Sequence, residues 1–218
     1  MAKTKKTSKS KKTTCYAFID AANLFYGGKK SLGWSIDYKK LLEYLKTKFG
    51  VKKAFYYAGV ELNKFPYDPL SVRPIDLDEV LRFHREKLKD EKLSESEIIL
   101  LGRHIQRIKF YRKLKKFGYT LKLKPTKIYK DGDRTIKKAN CDVDLTFDLM
   151  RYMSQYQELV ILSGDGDFAV VLKYLRNKGK KIYILSRGER TAKEIRRLAG
   201  GKFIDFVRLR PKLEFEGK

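Results

Sequence analysis

Apolar residues follow two rhythms along this chain. Short apolar runs, CYAFID at 15–20, KKAFYYAGV at 52–60, YTLKLKP at 119–125, ELVILS at 158–163, KKIYILS at 180–186 and KFIDFVRL at 202–209, read as strands. Between them the spacing lengthens to the helical period. Ile36, Leu41, Leu42 and Leu45 recur on one face of SIDYKKLLEYLKTKFG, and Gly50 stops it. DFAVVLKYLRNKG and RTAKEIRRLAG behave alike, and CDVDLTFDLMRYM reads as a helix entered through acidic residues. Strand, helix, strand in alternation predicts a mainly parallel α/β sheet.

Residues 61–97 interrupt this order: ELNKFPYDPLSVRP carries three prolines and reads as loop, and IDLDEVLRFHREKLKDEKL as a charged amphipathic helix. We take the segment as a helical insertion beside the sheet. Ser94 and Glu97 have capping-box spacing ahead of IILL, predicting a long helix to Phe117 that ends at Gly118. KIYKDGDRTIKKAN places an Asp-Gly turn signal between two short strands.

Charge changes the picture. The chain has 51 Lys+Arg against 26 Asp+Glu, a formal +25 over 218 residues. Six lysines and no acid lie in the first twelve residues, so a body without them still carries +19. Residues 1–14 are expected to be a disordered basic tail and 15–218 one folded domain. A polyanion is the partner such an excess implies. Between Ile98 and Lys130 there are eleven Lys+Arg and no acid; Leu101, Ile105 and Ile108 can face the core while Lys109, Arg112, Lys113 and Lys116 form a basic ridge. Tyr111, Tyr119 and Tyr129 interleave with that charge, as core packing or as stacking surfaces for bases. Lys29 and Lys30 follow the Gly27-Gly28 pair toward the rim where β-strand CYAFID ends.

Other chemistries lose ground. No apolar run approaches the roughly 20 residues that cross a bilayer, and the tail lacks a secretory apolar core, so the chain reads as soluble and cytoplasmic. Cys15 and Cys141 are too far apart in sequence to suggest a disulfide framework or a zinc site, and His84 and His104 lack paired spacing and are expected on solvated helix faces. SGDGDF lacks the third glycine of a dinucleotide fingerprint. DVDLT and GDGDF share words with haloacid dehalogenase-like phosphatases, but Asp142 and Asp165 lie only one helix apart.

In a parallel α/β sheet the carboxyl ends of all strands share one edge, and ligands bind there. Asp20 closes CYAFID, Asp165 follows LVILSG, and Asp142 stands where VDLTFDLM begins; topology alone sends the three to one rim, with Asp167 and Asn23 close behind. Taken alone, Asp165, Asp167 and Asp142 are explained as helix caps, and Asp144 and Asp148 as four apart on one exposed helix face. Together they would raise one another's pKa unless a cation neutralises them, which is the work of Mg²⁺ or Mn²⁺. Metal-dependent phosphodiester hydrolysis is the chemistry implied.

FIDAANLFY, CDVDLTFD and LVILSGDGDF, in that order, resemble the NYN domains of the PIN-like nuclease superfamily. The resemblance runs from about Tyr16 to the last strand and implies a Rossmann-like three-layer α/β/α sandwich and a divalent-metal endoribonuclease. It places the family's acidic site on Asp20, Asp142, Asp165 and Asp167, with Asn23 positioning a metal water or a phosphate and Asp148 as a further acid for the metal. Where such sequences commonly have Lys-Gly-Val-Asp this chain has KKANCD, with Lys138 near the scissile phosphate. RNA, single-stranded or structured, is the expected partner; an inactive RNA-binding module and a DNA nuclease are the alternatives. A homodimer through the insertion has no specific signal.

Overall fold

The computed structural model describes residues 13–27, 33–70, 73–131 and 134–217. Residues 1–12 of the basic tail, and Lys29 and Lys30, lie outside the described residues. Six strands form one wholly parallel sheet: β1 (Cys15–Asp20), β2 (Val51–Val60), β3 (Thr120–Pro125), β6 (Glu158–Leu162), β7 (Lys181–Ser186) and β8 (Phe203–Asp205), in the order β3-β2-β1-β6-β7-β8. Two further strands, β4 (Lys127–Asp131) and β5 (Arg134–Lys138), pair antiparallel outside it, as the Asp-Gly signal suggests.

The helices are α1 (Ala21–Gly27), α2 (Tyr38–Phe49), α3 (Leu77–Lys87), α4 (Glu95–Phe117), α5 (Asp142–Arg151), α6 (Ala169–Asn177), α7 (Lys193–Ala199) and α8 (Arg210–Leu213). Their ends have local causes. The Asp37 carboxylate accepts from the N–H groups of Lys39 and Lys40 at 2.8 and 3.1 Å, and Gly50 closes α2 at φ 64°. The expected capping box of Ser94 and Glu97 opens α4, and Gly118 at φ 106° ends it.

Alternating strand residues fill two cores, which makes the sandwich three-layered. Ala17, Ile19, Tyr56, Val160 and Leu162 pack toward α2, α3 and α4. Phe18, Phe55, Ile161 and Ile184 pack toward α5, α6 and α7. Strands buried on both faces explain the unbroken apolar runs.

One expectation fails here. His84 and His104 are buried, 0% and 7% exposed, with their rings edge to face at 5.8 Å. Helix α3 packs on α4 through Leu77, Val80 and Leu81, so the two histidines meet between helices rather than in solvent. Nδ1–H of His84 donates to the Val80 carbonyl at 2.8 Å, and burial lowers its pKa.

Candidate active site

The sheet order reverses direction at β1, whose neighbours are β2 on one side and β6 on the other. Chains leaving β1 and β6 diverge to opposite faces, which opens a crevice at their carboxyl ends. Ile19 pairs with Leu162, so the next residues, Asp20 and Ser163, stand side by side at that crevice. A cavity of about 830 Å³ occupies it, lined by Asp20, Asn23, Asp142 and Asp165 among others.

Local hydrogen bonds hold this floor. The Ser163 hydroxyl donates to Asp20 Oδ2 at 3.0 Å and accepts from the Asp165 N–H at 3.2 Å, coupling the two acids through one side chain. Asp20 Oδ1 accepts from the Asn23 N–H at 3.2 Å, and Asn23 Oδ1 accepts from the Gly164 N–H at 3.1 Å, tying α1 to the loop after β6. A Cβ on Gly164 would stand 2.5 Å from Ser186 Oγ and 2.9 Å from Thr191 Oγ1, so the Ser-Gly step has room only for glycine. Asp142 is the first residue of α5 and its N–H donates to Asn140 Oδ1 at 2.9 Å. A Cβ on Gly59 would meet the Ala139 side chain at 2.5 Å, so glycine lets that entry segment lie close over β2.

Burial raises the Asp20 pKa above the ordinary carboxylate range, and the charge of Asp165 adds to this; the Asn23 N–H, the Ser163 hydroxyl and the Ala22 N–H pull the other way. Beside them the Cys141 thiol is pushed up to about 12, by burial first and Asp144 next, so it stays protonated and unreactive.

Of the residues expected here, Asp20, Asn23, Asp142 and Asp165 share the cavity. Asp167 does not line it; it is exposed, and its N–H donates to Asp165 Oδ1 at 3.0 Å, so Asp165 also caps the turn that follows. Asp148 lies apart, 4% exposed, its carboxylate engaged by Tyr57 Oη and Lys122 Nζ, each at 3.0 Å. Lys109, Arg112, Lys113 and Lys116 are all outside the cavity, and Arg112 pairs with Asp78 at 2.7 Å. Tyr111 and Tyr119 are buried and donate to the Gly59 and Tyr38 carbonyls at 2.6 and 2.7 Å, which removes them as base-stacking surfaces. The side chains of Tyr129 and Lys138 lie outside the described residues.

Sequence reasoning gave no site role to Glu61, Arg103, His104, Arg107, Arg187 and Arg190, all of which line the cavity. A signal existed for two of them. Glu61 follows β2 and Arg187 follows β7 directly, and so obey the same edge rule as Asp165.

The family model of the NYN domain matches residues 67–210, more than half of the chain. The chain belongs to the NYN domain family. This agrees with the resemblance seen in its three motifs. The NYN match begins within the 61–97 segment, so Asp142 and Asp165 fall inside it while Asp20 and Asn23 precede it. The NYN chain is also 27% identical over 202 residues to the low amplitude and bright protein LabA of Synechococcus elongatus, covering 90% of this chain and 86% of that one. A Vibrio parahaemolyticus protein of unknown function shares the fold, with a TM-score of 0.60 at 18% identity, covering 88% of this chain and 92% of that one.

As a cation site the floor is sparse. Among the described residues no three His, Cys, Asp or Glu side chains converge into a ready ligand set. Mg²⁺ asks for less, taking one or two carboxylates and completing its shell with water and substrate phosphate. Asp20 and Asp165, close enough for one charge to shift the other, fit that need, with Asp142 lining the same cavity. No helix among the described residues is long and apolar enough to cross a membrane.

Proposed function

We propose that this NYN protein is a Mg²⁺- or Mn²⁺-dependent ribonuclease that hydrolyses RNA phosphodiester bonds at the β1/β6 crevice. The observation that carries the reading is the meeting of Asp20, Asp142 and Asp165, which are far apart in sequence, in one cavity. A bound divalent ion there would neutralise charge on the phosphodiester and lower the pKa of a coordinated water.

The protein's own groups do the rest. Asp20 and Asp165 hold the ion, and the Ser163 hydroxyl fixes the facing oxygen of Asp20. Asn23 ties the two segments together through the Gly164 N–H, acting as a positioning residue. Asp142, at the start of α5, offers a third carboxylate lining the same cavity. The formal +25 of the chain draws the polyanion in.

The test is cleavage of a mixed RNA pool, and of DNA of matching sequence, with Mg²⁺, Mn²⁺ or EDTA. Metal-dependent RNA cleavage that disappears in Asp165→Asn is the expected result. Equal cutting of DNA makes the protein a general nuclease. Binding of RNA with no cleavage under any metal makes it an RNA-binding module and overturns the proposal.

A further inference from the structure

The carboxylates lie between two basic banks. On the β2 side α4 carries Arg103 and Arg107 into the cavity, with His104 between them and its Nε2 paired with Glu61. On the β7 side Arg187 and Arg190 stand in the turn after that strand. Because the strands run β2-β1-β6-β7, Asp20 and Asp165 occupy the middle and the arginines the flanks.

Both banks are anchored to the scaffold. On the α4 side the Tyr111 hydroxyl donates to the Gly59 carbonyl in β2 at 2.6 Å. On the other, Thr191 Oγ1 donates to the Arg187 carbonyl at 2.6 Å and the Ala192 N–H to the Gly164 carbonyl at 2.9 Å, locking the turn to the loop that bears Asp165. Arg187 pairs with Glu189, whose side chain is 80% exposed, so a phosphate can take that carboxylate's place. Strands β2 and β7 are three spacings apart, about 14 Å at ~4.8 Å each. No single phosphate bridges that span, whereas a short run of backbone does.

We infer that Arg103 and Arg107 on one flank, and Arg187 and Arg190 on the other, hold backbone phosphates on both sides of the scissile one. The substrate is then a continuous single-stranded RNA laid across the sheet edge from β2 to β7 and cut internally. Asp20 is only 7% exposed at the cavity floor, below a rim that includes α4; a flexible single strand can turn its backbone down to it, and a stiff duplex rests on the rim. This inference rests on the ribonuclease reading for its cleavage step but not for its binding path.

The test uses the full chain as Asp165→Asn, which holds RNA uncut, and a short circularised single-stranded RNA in fluorescence anisotropy with Mg²⁺. Arg103→Gln with Arg107→Gln, and separately Arg187→Gln with Arg190→Gln, should each weaken binding by about tenfold and flatten the slope of log K against log salt by about 1.4. The matching Arg→Lys pairs should recover the slope, which separates lost charge from lost folding. If either Gln pair binds and responds to salt as its parent does, the two-sided path is wrong. Preferential binding of duplex RNA overturns it as well. With active protein and Mn²⁺, opening of the circle supports internal cutting, and an intact circle beside degraded linear RNA overturns it. If circle and linear RNA are both bound and neither is cut, the ribonuclease reading fails and the anisotropy result alone decides the path.

Discussion

Two acidic pairs, one on α5 and one at the ends of β1 and β6, have opposite fates. Asp144 and Asp148 each meet a lysine of β3: Lys124 at 2.7 Å and Lys122 at 3.0 Å. Tyr57 adds a hydrogen bond to Asp148, and burial with the nearby Asp148 charge keeps that phenol protonated. Asp20 and Asp165 have no such neutralisation: among the described residues their partners are a hydroxyl and backbone N–H groups. Alternate residues of a strand point to one face, so a Lys-x-Lys strand beside α5 converts its acids into scaffold. At β1 and β6 the adjoining positions carry no cation, and the acids stay available. Whether an aspartate is ion-paired or left available is decided here by the neighbouring strand.

The contrast is testable, beginning with the largest effect. Asp165→Asn should lower metal-dependent RNA cleavage by about 10²-fold or more, while Asp148→Asn retains the parental rate per folded molecule; equal losses in a gel-based cleavage assay would erase the distinction. Thermal denaturation with Mg²⁺ sharpens it. At about 100 times Kd the parent should gain about 2.7 kcal/mol, Asp20→Asn should gain far less, and Asp148→Asn should respond like the parent.

Stability alone should show the reverse ranking. Asp148→Ala strands Lys122, whose side chain is 30% exposed, and removes the partner of Tyr57, costing about 2 kcal/mol in urea denaturation. Replacing Lys122 by Met in the same protein should recover part of that loss. The smallest effect belongs to Asp20. Its folded pKa lies above its unfolded value, so the folded state binds the proton more tightly and stability falls as pH rises between the two values. Metal-free Asp20→Asn should therefore be more stable than the parent at pH 7 in urea denaturation, with the gain vanishing below the unfolded carboxylate pKa. A variant that is less stable at pH 7 would show that Asp20 is held as firmly as Asp148.

The acidic floor was legible because it follows from topology. Once CYAFID and LVILS are parallel strands, their ends must share an edge, and Asp20 and Asp165 follow. The basic residues were not legible in that way. Arg103, Arg107, Lys109, Arg112, Lys113 and Lys116 all lie on α4, and charge alone makes them equivalent. Which of them faces the cavity is set by how α4 sits on α3 and β2, through His84 against His104 and Tyr111 against Gly59. The pairing of Asp148 was hidden for the same reason: its motif names a carboxylate, and only the packing of β3 beside α5 supplies the lysine that engages it.

Gly164 governs the gauge of the site. The backbone there runs so near the neighbouring segment that a methyl group would lie 3.0 Å from the Thr191 Cα, which cannot swing aside as a flexible side-chain tip can. A Gly164→Ala protein would keep every ionisable group and still wedge the ends of β6 and β7 apart, moving one jaw of the carboxylate vice relative to the other. If the proposed divalent ion sits there, a small ion that tolerates little misfit would be released before a larger one, and the bore would be cut by backbone contact and not by the acids.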